Sequence, residues 1–259
     1  MQSGAIDNLP IPLVWLAVAG LALLGAEVGF QVGRWWRRRS EGDPPDVGGE
    51  IAGAALALFA FYLAFMVSFT VQRFDGRRAL VMDEANAIGT TWLRAGYLAE
   101  PTGSAVRAIL VDYTAERLKL PDDAQRAAAL ARSNDLLADL WAETERLVEA
   151  GPDSESVALF VETVNETIDD GAKRQVAIET WRVPETMWFA ALFMAFASMG
   201  LLGFAAGMRG ARNAVALVVL VLVFSAVITL IVDLDRPYDG ILTINQQALV
   251  ELQQQIGSP

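Results

Sequence analysis

Four apolar runs, Ile11 to Val32, Ile51 to Val71, Met187 to Met208 and Ala214 to Val232, constrain this chain more than any other feature. Each is about 20 residues long, enough for a helix rising about 1.5 Å per residue to cross roughly 30 Å of hydrocarbon. The last three hold no Asp, Glu, Lys or Arg, and a charge at the bilayer centre costs several kcal/mol. Burial in a membrane therefore explains them better than a water-soluble core. The expected fold is all-α: a four-span transmembrane helical bundle with a large helical extramembrane insert between spans 2 and 3.

The boundaries follow from the runs. Residues 1–71 read as a transmembrane hairpin, with spans at 11–32 and 51–71 around a basic loop, 33–50, whose stretch from Ser40 to Glu50 has loop composition. Residues 72–183 read as the insert, 184–232 as a second hairpin with spans at 187–208 and 214–232, and 233–259 as an acidic turn followed by an amphipathic helix from Leu242 to Ile256. Met1 to Leu9 carries one Asp and no Lys or Arg. A cleaved signal peptide has a basic start and a shorter apolar core, so the first run is expected to stay as a span.

Hydrophobic residues make up 54% of the chain, yet the net charge is -11. The insert carries much of that excess, with 13 Lys/Arg against 20 Asp/Glu between Gln72 and Val183. An acidic wet part argues against nucleic acid, which needs a basic face. The chain has no Cys and no His, which removes thiol chemistry, disulfides, the usual zinc sites and His-dependent triads. Glycine-rich phosphate loops lack their Lys and their strand context. No catalytic residue, metal site or cofactor is assigned, and the chain is not expected to be an enzyme.

Helical spacing runs through the insert. Leu80, Met82, Ala85, Ile88, Trp92 and Leu93 continue span 2 outward, interrupted only by Gly76, Gly89 and Gly96. Pro101 to Ser104 starts a helix carrying Val106, Ile109, Leu110 and Tyr113, and Pro121 ends it. A second helix opens with Asp122 and Asp123 and turns Leu130, Leu137, Leu140, Trp141, Thr144, Leu147 and Val148 inward until Gly151-Pro152. A third begins near Ser154, carries Phe160, Val161, Val164 and Ile168, and feeds almost directly into span 3.

Candidate functional residues cluster on span 2. Phe61, Phe65 and Phe69 recur every fourth residue, with Ser68 beside them; in a ring of subunits such a stripe forms a constriction that gates by dewetting. The same pattern also suits rings facing lipid or packed between helices. Arg73, Arg77 and Arg78 follow, as a basic pore mouth that focuses anions or as flank charges paired with Asp75, Asp83 and Glu84 along the helix. Glu27 is an intramembrane carboxylate, a functional candidate by default that is also within reach of Arg34. Gly25, Gly29 and Gly33 repeat every fourth residue and invite close approach by another helix, as do Gly200, Gly203 and Gly207. Asp233, Asp235 and Asp239 offer oxygen ligands, but they lack a calcium-loop spacing, and Arg236, Pro237 and Gly240 among them suit a turn.

Two stretches resemble a known family. Leu56-Ala-Leu-Phe59, continuing to Val71-Gln-Arg-Phe-Asp-Gly-Arg-Arg78, resembles the second span of bestrophins and the aromatic-Arg motif after it. Asp233-Leu-Asp-Arg-Pro-Tyr-Asp-Gly240 is similar to the acidic segment after their last span. The chain is more similar still to bacterial membrane proteins related to bestrophins, whose pattern includes Asp83-Glu-Ala-Asn-Ala-Ile-Gly-Thr-Thr-Trp-Leu-Arg94, so that Asp83, Glu84, Asn86, Asp233, Asp235, Arg236, Pro237 and Gly240 stand as motif residues. The resemblance implies a homo-oligomer, a pentamer by analogy, that passes small inorganic ions, anions favoured, through a pore lined by span 2 in a bacterial inner membrane. The Asn- or Thr-rich stretch that bestrophins place before the motif is Val67-Ser-Phe-Thr70 here.

Two conclusions stay open. A non-conducting membrane scaffold or sensor, whose helical insert binds a partner, fits the same layout. Orientation is divided too: Arg34, Arg37, Arg38, Arg39, Arg209 and Arg212 in short loops favour the insert and both termini outside the cytoplasm, whereas bestrophins keep their insert inside it.

Overall fold

The computed structural model describes residues 9–39, 47–151 and 154–257. Met1 to Asn8 and the linker 40–46, both given a reading from sequence, lie outside the described residues. Among the described residues there are eight helices: α1 (Ile11–Arg39), α2 (Val47–Ala95), α3 (Thr102–Lys119), α4 (Asp123–Glu149), α5 (Glu155–Thr180), α6 (Glu185–Arg209), α7 (Ala214–Asp235) and α8 (Gln247–Ile256). No strand occurs among the described residues. Four stretches of helix among the described residues, in α1, α2, α6 and α7, are long and apolar enough to cross a membrane.

Several ends fall where local chemistry puts them. The Asp122 side chain accepts from the Ala124 amide to start α4, and Ser154 accepts from Val157 to start α5. Gly210 closes α6 with φ at 71°, a left-handed conformation that a residue with a Cβ adopts only at a cost. Four ends differ from the sequence reading. α2 already begins at Val47, inside the stretch from Ser40 to Glu50 expected as loop. α1 stays helical from Gly33 through Arg39, since nothing in that stretch breaks it. α5 stops at Thr180 and the chain leaves helical geometry at Trp181, where ψ is 64°, so α6 starts afresh behind Pro184. The last helix begins at Gln247 rather than Leu242, because the amides of Ile241 and Leu242 are held by the Asp233 carboxylate.

The chain divides into two compact units, residues 1–73 with 182–243 and residues 74–181 with 244–259. In the first, α1 packs along α6 and α7. The two glycine series predicted from sequence meet each other: a Cβ on Gly29 would collide with the Gly200 carbonyl, and one on Gly203 with that of Ala26. With backbones this close, dispersion between main chains replaces interdigitating side chains. Phe59, Leu63 and Met66 of α2 pack with Ile228 and Ile231 of α7 and Ala191 and Ala195 of α6. Phe59 stacks on Phe224 at 4.9 Å between ring centroids. Tyr62 donates to the Met187 carbonyl at 2.9 Å.

In the second unit, the distal part of α2 buries Val81, Ala85 and Ile88 against α3, α4, α5 and α8. The inward face of α4 is Ala129, Ser133, Leu136, Leu140, Thr144 and Leu147. Trp141 and Val148, expected to point inward, are 38% and 54% exposed. Small residues Ala129 and Ser133 let neighbouring helices come close, and this shifts the buried stripe away from the bulkier side chains. Met82 and Leu93 on α2 are likewise exposed, while Glu84 and Thr91 turn inward.

Candidate functional site

Along α2 in the first unit, Phe59, Leu63, Met66 and Thr70 are buried, whereas Phe61 and Phe65 are 73% and 56% exposed. Ser68 is also exposed, on the side of Phe61 and Phe65. Phe69 is only partly exposed; it stacks on Phe65 at 6.5 Å and lies 4.3 Å beneath the Arg73 guanidinium. The helix therefore keeps one apolar face for packing and offers Phe61, Phe65 and Ser68 on another.

The three arginines sit in three different settings. Arg73 is half-buried against Phe69. Arg77, in the second unit, is 1% exposed and donates to the Trp181 carbonyl at 3.1 Å, beside a Trp181 ring that lies over Gly76. Arg78 is exposed. Burial removes Arg77 from any surface, so the expected ring of three basic residues reduces to two.

A buried charge centre lies within the second unit. Glu84 is fully buried, with Arg117 Nε at 2.6 Å from one carboxylate oxygen and Arg174 at 2.5 Å from the other. Tyr113 donates to the same carboxylate at 3.0 Å, Arg174 also donates to Gln246 at 2.6 Å, and Arg117 to the Gly171 carbonyl at 3.4 Å. Burial by itself would raise the Glu84 carboxyl, but Arg117 and Arg174 outweigh it and hold it below its ordinary value. The Tyr113 hydroxyl is pushed up, by burial first and by the Glu84 charge next. Two guanidiniums against one carboxylate leave the centre with a surplus positive charge. The sequence offers Glu84 as a partner for arginines along its own helix, as one of two readings. The structure instead gives Glu84 partners from α3 and α5. Asp83 and Asn86, its neighbours in the motif, are exposed.

The second motif stretch lies in the first unit. Asp233 accepts from the Ile241 and Leu242 amides at 2.7 and 3.0 Å, and Gly240 leaves room for that carboxylate, because a Cβ there would collide with it. Asp235 accepts from the Val183 amide at 2.8 Å and pairs with Arg182 at 3.2 Å. Arg236 donates to the Leu9 carbonyl at 2.6 Å. Pro237 is partly exposed and Asp239 exposed. These acids tie chain segments together. Among the described residues, no group of three or more His, Cys, Asp or Glu side chains is arranged to hold a metal ion. Glu27 pairs with Arg212 rather than Arg34, and accepts from Gln31 at 3.1 Å.

Comparison with known proteins points one way. Solved bacterial bestrophin homologues from Klebsiella pneumoniae, each with a single substitution, share this fold. One has a TM-score of 0.68 at 16% identity, covering 95% of this chain and 97% of its own; another has 0.67 at 16%, covering 96% and 99%. A third, at 15% identity, has a TM-score of 0.68 and covers 93% and 97%. No curated protein matches the sequence. The bestrophin-like domain model matches residues 13–249, and the chain belongs to the bestrophin-like family.

Proposed function

We propose that this protein is a homo-oligomeric ion channel of the inner membrane of a bacterium, pentameric by family analogy, with α2 lining the pore. Spans 11–32, 51–71, 187–208 and 214–232 cross the bilayer, and residues 72–183 form a helical insert outside it. A helix of 49 residues runs about 74 Å at roughly 1.5 Å each, more than twice the hydrocarbon thickness, so much of α2 is out of the membrane. The observation that carries the reading is the face of α2 bearing Phe61, Phe65 and Ser68, which the protomer leaves uncovered. Around an axis of symmetry, it supplies two rings of phenyl groups with a hydroxyl below them, an apolar constriction of the kind that gates by dewetting.

Anions are the favoured ion, as the resemblance to the family implies. Of the arginines that follow span 2, Arg77 is buried and Arg73 lies on Phe69, while Arg78 is exposed.

Reconstituted protein is expected to pass small monovalent ions across liposomes, with Phe65→Ala changing the flux severalfold. Wild-type vesicles that stay at baseline sink the channel reading and leave the scaffold. Orientation has its own test. The arginine loops place the insert and termini outside the cytoplasm; the family resemblance implies the reverse. Ser40→Cys and Asp153→Cys, at positions outside the described residues, separate the two in intact cells: an impermeant thiol reagent reaching only Asp153→Cys fits the first, and only Ser40→Cys the second.

A further inference from the structure

We propose that six arginines at one end of the first unit form a docking surface for the phosphate headgroups of anionic phospholipids. Arg34, Arg37, Arg38 and Arg39 close α1, Arg209 closes α6 and Arg212 follows the α6–α7 turn; all six are exposed. The fold joins the two sets. The Arg37 guanidinium occupies the notch that Gly210 leaves by lacking a Cβ, and the Arg34 amide sits against Gly207. Arg212 pairs with Glu27 and lies 4.7 Å from the Phe30 ring centroid. Arg37 and Arg212 are therefore anchored before any ligand arrives, which lowers the entropy lost on binding.

The aromatic groups beside them favour lipid over a soluble anion. Trp35 and Trp36 are 49% and 53% exposed, edge to face at 6.4 Å, and the Arg39 guanidinium lies 4.1 Å from the centroid of Trp35. Exposed indoles at the end of a spanning helix belong at the level of headgroups, and guanidinium forks match phosphate oxygens in pairs. Glu27 lowers the net charge here, and the sequence from Ser40 to Glu50 carries four acids. The attraction thus rests on directed guanidinium–phosphate pairs rather than on bulk charge. It depends neither on conduction nor on orientation.

Native mass spectrometry and thermal unfolding of the full-length protein in detergent, with phosphatidylglycerol, phosphatidylcholine or inorganic phosphate added, decide it. Phosphatidylglycerol is expected to remain bound and to raise Tm, and the other two to do neither. Each arginine near an anionic surface is worth about a fivefold factor, so Arg37→Gln/Arg38→Gln/Arg212→Gln should lose roughly a hundredfold in affinity, while Arg132→Gln/Arg146→Gln in the second unit loses none. Arg38→Gln alone keeps Arg37 in its notch and Arg212 on Glu27, and should lose about fivefold even if the triple variant fails to fold. Equal protection by phosphatidylcholine, the same shift from inorganic phosphate, or undiminished phosphatidylglycerol binding by Arg38→Gln and the triple variant overturns the proposal.

Discussion

The two units solve the problem of holding helices together in opposite ways. In the first, α1 and α6 meet through glycines, with main chain against main chain. In the second, α2, α3 and α5 meet around a carboxylate and two guanidiniums sealed from solvent. Close backbone contact tolerates no added atom, whereas a buried ion centre tolerates no lost partner. The two designs should therefore fail under different substitutions.

The largest effect is expected at Glu84. Glu84→Ala leaves Arg117 and Arg174 as two like charges in a buried space, and loss of one partner from a buried ion pair costs about 3–5 kcal/mol. Arg174→Met should cost less, because it leaves one guanidinium against one carboxylate. Chemical unfolding followed by tryptophan fluorescence measures both, and equal losses would show that the surplus charge is immaterial. The pH dependence has a defined sign. The folded Glu84 carboxyl lies below its ordinary value of 4.5, so its contribution is complete above that pH and drains away as pH falls toward the folded value. Tyr113 is raised from 10.0, so the folded state loses stability as pH climbs beyond 10.0. Glu84→Gln should flatten the acid limb of the profile.

In the first unit the contrasting change adds an atom. Gly29→Ala or Gly203→Ala places a methyl on a facing carbonyl, and overpacking of this kind costs about 1–3 kcal/mol. Thermal unfolding in detergent should register either substitution, whereas Gly53→Ala, with nothing within 4 Å of its Cβ position, should leave Tm unchanged. If Gly29→Ala is silent, the helices can slide apart at little cost and the close contact does not hold them. Asp235→Asn comes next. It retains an acceptor for the Val183 amide and loses the charge opposite Arg182, so about 1 kcal/mol is expected, together with faster amide exchange at Val183.

Sequence made part of this contrast visible in advance. The glycines of α1 and α6 could be matched because a four-residue repeat in an apolar run has few other uses. The length of α2 was also legible, since no proline interrupts it. The partners of Glu84 were not. Arg174 lies 90 residues away, and a single arginine on a mixed helix face reads as a solvated charge until the fold encloses it. Arg77 misled for the same reason. On α4, hydrophobicity alone turns Trp141 and Val148 inward, whereas close packing selects the smaller Ala129 and Ser133. The Phe61 and Phe65 face was legible as a stripe, but not as an uncovered one.

The smallest expected effect tests whether burial, rather than charge pairing itself, sets the contrast. Arg146 pairs with Glu143 one turn away on α4, yet its side chain is 66% exposed. Water already solvates both ions, and ordering two long side chains consumes most of the Coulomb gain. Arg146→Ala should change stability by no more than about 0.5 kcal/mol, and added salt should erase what remains. Glu84→Ala removes one charge as well, but from a place where water cannot replace the partner. A loss at Arg146 comparable to that at Glu84 would mean that ion pairs stabilise the second unit wherever they lie, and the buried centre would lose its special standing.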